Sequence, residues 1–155
     1  MFVALAFLAS PAYATVVNRA LEPAALAVLS DAAVFGDVKD VRTTWEGGMI
    51  WTVATLELAD LDAEADVWIP GGCVGDVCLT VGGAPWLAEG ERVFVFLREG
   101  QPTSLAQGVF HVEGEVGSRD TSGLSFRDGV HPVDIVPVAE LKTAGRKVRP
   151  LTRQE

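Results

Sequence analysis

The chain has 155 residues, of which 49% are hydrophobic, and this is enough for a single domain with its own core. It carries 21 Asp and Glu against 12 Lys and Arg, a net charge of −9, and this acidic excess argues against a nucleic-acid partner, whose phosphates require a basic surface. No apolar run after residue 14 approaches the ~20 residues of a membrane span, so the sequence predicts no transmembrane segment in the mature chain.

Residues 1–14 have the pattern of a signal peptide. Twelve of these fourteen residues are hydrophobic, and a Ser-Pro pair leads into an A-x-A cleavage pattern that ends at Ala14. The alternative is a buried N-terminal helix or strand. We expect cleavage before Thr15 and export to the periplasm, the cell envelope or the extracellular medium.

Residues 15–31 form an N-terminal segment in which one short helix is predicted. Pro23 fits the first turn of a helix, where the missing N–H is not needed, and the apolar run that follows it continues to Leu29. We expect the helix to end at Ser30 and Asp31.

Residues 32–136 alternate short apolar runs with turns rich in Gly and Pro, which is typical of a small all-β domain. The strongest strand is Arg92–Arg98, and because both of its faces are apolar we expect it to be central and covered on both sides. Gly36, inside an earlier strand, predicts a bulge or a sharp bend. Residues 117–123 are interpreted as a hairpin loop. The predicted strands are 33–42, 50–59, 65–69, 92–98, 108–112 and 124–126.

These patterns predict an all-β fold with minor α content. We expect a five- to seven-stranded OB-like β-barrel with a short N-terminal helix and a short C-terminal helix. The second helix is predicted at Val138–Lys147, within a basic C-terminal tail of residues 137–155. The basic residues Arg146, Lys147, Arg149 and Arg153 are expected to trail in solvent, with packing on the acidic strands or contact with an anionic surface as the alternatives.

The two cysteines, Cys73 and Cys78, are separated by four residues and flanked by apolar runs. In an exported protein such a pair favours a disulfide, here across a tight hairpin. The alternatives are a redox pair, which usually has two intervening residues, and half of a zinc site, which requires four ligands.

The stretch from Ser30 to Val112 resembles a group of small exported bacterial proteins with an OB-fold-like barrel, which are similar to the netrin-type module of tissue inhibitors of metalloproteinases. The likeness is carried by residues 30–38, by Pro70-Gly71-Gly72 with residues 81–86 and 90–97, and by residues 105–110. The resemblance implies the scaffold and, since some members of that group are encoded near secreted metalloproteases, a secreted protein such as a metalloprotease as partner. Those inhibitors chelate zinc through a cysteine at the mature N-terminus, and Thr15 stands there in this chain, so the inhibitory mechanism is not implied.

The sequence predicts no cofactor, no metal ligand and no catalytic residue. His111 and His131 are isolated, and His111 is expected on the wet face of a strand. The acids between Asp60 and Asp66 occupy the first positions of an EF-hand loop, but Ala65 and Gly71 stand where that loop needs Gly and Glu. A solvated acidic loop is therefore predicted, with weak calcium binding as the alternative. The Ser122–Ser125 segment lacks the pattern of a nucleophile elbow.

The four tryptophans divide into two predicted classes. Trp51 and Trp86 are expected in the core, whereas Trp45 and Trp68 are the candidate interface residues because exposed tryptophans anchor protein contacts. Partial burial under a loop is the alternative for both.

Together these features predict an exported, non-enzymatic binding module that contacts a secreted protein. A small secreted hydrolase with an unrecognised site and a structural cell-envelope protein are the alternatives.

Overall fold

The computed structural model describes residues 15–148. The predicted signal peptide, residues 1–14, and the last seven residues, with Arg149 and Arg153 of the predicted tail, lie outside the described residues. Within them the fold is mostly β with two short helices, as the sequence predicts. The strands are β1 Thr15–Val17, β2 Ala32–Glu46, β3 Met49–Leu58, β4 Glu64–Pro70, β5 Gly72–Val74, β6 Val77–Leu79, β7 Arg92–Arg98, β8 Gln101–Pro102, β9 Val109–Glu113, β10 Val116–Ser118, β11 Leu124–Phe126 and β12 Ile135–Pro137. The helices are α1 Pro23–Leu29 and α2 Val138–Gly145.

The main sheet has the strand order β12-β10-β9-β7-β2-β3-β4, and β8 pairs with β7 as an additional strand. All its neighbouring strands are antiparallel. The sheet curls enough for the backbone N–H of Trp68 in β4 to donate to the carbonyl of Gly100, 2.9 Å away in the β7–β8 turn. The described strand ladders nevertheless end at β4 and β12, so the sheets are not closed and the predicted barrel is not confirmed.

Strand β7 lies at the centre of the fold and is buried on both faces, which confirms the prediction for this segment. Val93 and Val95 point into a cluster formed on the concave side by the curled sheet, whereas Phe94 and Phe96 point to the other side and pack beneath the helices. Full burial of such side chains contributes roughly 1.5–3 kcal/mol each. The concave cluster consists of Val38, Ala54, Leu56, Val67, Ile69, Leu87, Val93, Val95, Leu97 and Val109.

The two helices contact each other and pack over Phe94 and Phe96 on the outer face of β7. Helix α1 begins at Pro23, as predicted, and its Leu26 is fully buried. Helix α2 begins at Val138 but ends at Gly145, two residues before the predicted end, and its Leu141 is fully buried beside Leu26 in one cluster.

Strand β2 changes partners along its length. Residues 32–37 pair with β7, residues 36–46 pair with β3, and a register shift between Val38 and Asp40 lies where the strand turns from one to the other. The predicted bulge therefore occurs after Gly36 rather than at it. A Cβ atom on Gly36 would collide with the carbonyl oxygen of Glu57, so glycine is required there for close approach of the β3 backbone.

The prediction of a hairpin loop over residues 117–123 is wrong at its start. Val116–Ser118 is strand β10, which pairs with β9 and β12, and the turn lies earlier at Gly114 and Glu115. Gly117 is buried under Leu141 of α2, where a Cβ would come within 2.7 Å of the leucine Cδ1 atom. The sequence therefore predicted a turn glycine at Gly117, whereas the structure requires glycine there for close packing against α2.

Strands β5 and β6 form the predicted cysteine hairpin. Cys73 and Cys78 lie directly opposite each other, with Cα atoms 4.1 Å apart, and form a disulfide. Both cysteines are exposed, so the bond staples the hairpin without taking part in the core.

Candidate binding cleft

The tryptophans do not divide as the sequence predicts. Trp86 is 62% exposed, so its assignment to the core is wrong. Its neighbours Pro85 and Leu87 are both buried, and because these two side chains point into the protein, the Trp86 side chain between them points to solvent. Trp45 is 52% exposed, whereas Trp51 and Trp68 are half-buried.

Trp45 and Trp68 lie on opposite faces of the sheet. Trp45 stands opposite Ile50, whose side chain is buried. Trp68 stands opposite Val53, and because side chains alternate along β3, Val53 and Ile50 point to different faces. The structure therefore does not bring the two candidate interface residues together on one surface.

The structure instead brings Trp51 and Trp68 together. Their ring centroids are 6.2 Å apart with planes at 75°, an edge-to-face arrangement that aromatic rings prefer. The indole N–H of Trp51 donates to the carbonyl of Glu46 at 3.2 Å, and the backbone N–H of Trp68 donates to Gly100. These hydrogen bonds fix the orientation of the Trp51 indole and the position of the β4 backbone at Trp68.

These two rings line an open cleft of about 430 Å³ on the outer face of β3 and β4. Met49 adds an apolar side chain, and the lining also includes two exposed acidic residues, Glu46 at the end of β2 and Glu99 in the β7–β8 turn. The cleft therefore combines aromatic surface with negative charge.

The turn that carries Glu99 is held in an uncommon conformation. Glu99 has φ +52° and Gly100 has φ +78°, as a two-residue hairpin turn with left-handed residues requires. The backbone N–H of Glu99 donates to the carboxylate of Asp31 at 2.7 Å, and the carbonyl of Gly100 accepts from Trp68. Hydrogen bonds on both sides thus position this turn against the cleft.

A second, smaller pocket of about 160 Å³ lies beside His111. The His111 side chain is 22% exposed, so it is less accessible to solvent than predicted. The centroid of its ring lies 5.2 Å from that of Trp86, and its Nδ1 atom lies 3.3 Å from the Glu91 carboxylate. Asp120 has a pKa below its ordinary value because it accepts hydrogen bonds from the hydroxyl and the backbone N–H of Ser122. Across residues 15–148 no hydrogen bond joins Ser122 to His111, so these groups do not form a nucleophile–base pair.

Arg119 is a buried polar residue whose structural role the sequence analysis missed. Its side chain is completely buried and donates to three main-chain carbonyls, those of Leu21, Gln107 and Val133. Burial lowers the pKa of Arg119, although Glu22 and Asp134 oppose this effect. In the sequence Arg119 follows Gly-Ser in a polar stretch, which gives no local indication of burial.

The acidic run before and within β4 is exposed, as predicted. Glu64 pairs with Lys39, and Asp66 lies 3.3 Å from Arg42, so two of these acids have basic partners on β2. Among the described residues, no group of three or more His, Cys, Asp or Glu is arranged to hold a metal ion. In the same part of the chain, neither helix has the length and apolarity needed to cross a membrane.

Comparison of the chain with family models, curated proteins and solved structures found no match.

Proposed function

We propose that this protein is an exported, non-enzymatic binding module that contacts a secreted protein through the Trp51–Trp68 cleft. A secreted protease is the candidate partner, on the basis of the resemblance described above. The scaffold is proposed to be an OB-like roll, since strands β2, β3, β4, β7 and β9 share one buried cluster and β4 reaches the β7–β8 turn. The exposed disulfide is compatible with export.

The Trp51–Trp68 pair is the observation that carries the proposal. Tryptophan is enriched among the residues that dominate the energy of protein interfaces, because it offers a large rigid surface and an N–H. Here both rings are carried by paired strands, so little side-chain or loop ordering is required when a partner binds.

The proposal is tested by capture from the producer's own culture fluid on immobilised mature protein that begins at Thr15. Each captured protein is purified and its affinity measured directly. We expect Trp68→Ala to weaken that affinity at least tenfold and Trp86→Ala, which removes a more exposed tryptophan elsewhere, to leave it within twofold. Far-UV circular dichroism checks that both variants are folded.

Two results would contradict the proposal. One is the absence of any purified partner that binds. The other is binding that Trp68→Ala and Trp86→Ala weaken equally. Turnover of a substrate panel by the mature protein would support the hydrolase alternative, and retention in envelope fractions would support the structural one.

A further inference from the structure

We infer that the Trp51–Trp68 cleft receives a cationic side chain, lysine or arginine, from a basic segment of the protein partner. This inference rests on the proposed function and adds to it the chemistry of the ligand. Three observations support it: the charge at the cleft, the aromatic surface and the charge of the whole chain.

The charge at the cleft comes from two acids, Glu46 and Glu99, of which Glu99 also lines a neighbouring cavity together with Arg19 and Arg98. Within residues 15–148, neither Glu46 nor Glu99 takes part in an ion pair. Several other acids on the same sheet are paired, for example Asp37 with Arg92 at 2.8 Å. Two unpaired carboxylates beside one cleft favour a positively charged ligand.

The aromatic walls suit the same ligand. Ring faces carry negative charge density and attract a cation, and tryptophan does so most strongly. Lysine and arginine also have long apolar stems, which can lie against Trp51, Trp68 and Met49 while the charged end meets Glu46 or Glu99.

The net charge of the chain, −9, favours a basic partner over a second copy of this protein. Two copies repel each other, whereas a basic segment is attracted from a distance. The cleft is also an open groove rather than an enclosed cavity, so a side chain carried on a polypeptide can enter it.

The test is a titration, followed by tryptophan fluorescence, with the peptide acetyl-Gly-Lys-Gly-Lys-Gly-amide and with its Nε-acetylated form. We expect the lysine peptide to bind at least tenfold more tightly than the acetylated one, which has the same backbone but no charge. Glu46→Gln with Glu99→Gln should reduce that binding at least tenfold. Glu113→Gln with Glu115→Gln removes the same charge from the exposed end of the β9–β10 hairpin and should change that binding less than twofold.

Several results would overturn the inference. They are equal binding of the two peptides, no binding of the lysine peptide, and equal effects of the two double variants. If the parent protein self-associates and the double variant Glu46→Gln with Glu99→Gln does not, the occupant of the cleft is a second copy of this chain. If a chain that ends at Val148 binds the lysine peptide tenfold more tightly than the full-length chain does, the chain's own basic tail competes for the cleft.

The two proposals fail in different ways. If the affinity of the captured partner depends on Trp68 but not on Glu46 and Glu99, the inference of a cationic ligand is wrong and the proposed binding function is retained. If no captured partner depends on Trp68, the proposed function itself is wrong.

Discussion

Replacing Arg119 with methionine removes the guanidinium that joins three separate parts of the chain. Its Nη1 atom donates to the carbonyls of Leu21 and Gln107 at 2.8 and 2.9 Å, and Nη2 donates to the carbonyl of Val133 at 2.8 Å. The group also lies over the ring of Phe110 at 4.9 Å. Methionine keeps an apolar stem of similar length but supplies no donor.

The expected loss of stability follows from these contacts. Each buried acceptor left without a donor costs about 1–3 kcal/mol, so the three carbonyls together represent about 3–9 kcal/mol before any rearrangement. The cost of burying the charge is no longer incurred, which offsets part of the loss. We expect Arg119→Met to lower the free energy of unfolding by about 3–5 kcal/mol, a large share of the roughly 5–15 kcal/mol typical of a domain.

Urea unfolding followed by tryptophan fluorescence and far-UV circular dichroism measures this loss. Arg98→Met is the matched control, because Arg98 is exposed and forms no ion pair among the described residues, and it should change stability by less than about 0.5 kcal/mol. An Arg119→Met variant within about 1 kcal/mol of the parent, at an unchanged m-value, would refute the reasoning.

Three further perturbations test the fold. Replacing Cys73 and Cys78 together with serine should lower the unfolding free energy by about 2 kcal/mol without abolishing the fold, because the closed ring is short, and a fully unfolded variant by circular dichroism would contradict this. Gly36→Ala should cost at least about 2 kcal/mol in urea unfolding, since its Cβ meets the carbonyl of Glu57, and a neutral effect would be incompatible with the observed register. Asp37→Asn should lower stability by no more than about 1 kcal/mol at neutral pH, because the ion pair it removes is exposed.

The Asp37→Asn variant also tests a pH dependence. Hydrogen bonds from Arg92 hold the pKa of Asp37 below its ordinary value of 3.8 in the folded chain. The stabilisation is therefore fully present above that ordinary value and is lost as the pH falls through the lower, folded value. The difference in unfolding free energy between parent and variant should be constant from neutral to mildly acidic pH and shrink below the ordinary value. A difference that grows in acid would contradict the pairing.

The features that the sequence predicted correctly depend on neighbouring residues. Proline at the start of an apolar run was enough to place α1, and an uninterrupted apolar run bounded by arginines was enough to place β7. The hairpin between Cys73 and Cys78 follows equally from a short polar loop between apolar flanks. In each case the deciding interactions span only a few residues, so the pattern is visible in the sequence.

The candidate cleft could be predicted only in part. The sequence selected Trp68, but it assigned Trp51 to the core and did not indicate Glu46 or Glu99. Alternation along one strand says which residues share a face, but it does not say which other strand or turn lies beside that face. The closest local signal was the Glu-Gly pair at Glu99, which is typical of a hairpin turn and not of a binding site.

The sequence by itself determined the mostly β composition, α1, the central strand and the disulfide, because hydrophobic periodicity and turn chemistry act over a few residues. Only the tertiary structure decided that Trp86 faces solvent, that Arg119 is buried and that Trp51 meets Trp68 beside two unpaired carboxylates. These outcomes depend on strand pairing and on contacts between segments far apart in the chain, where the environment of a side chain is set by residues that are not its neighbours in sequence.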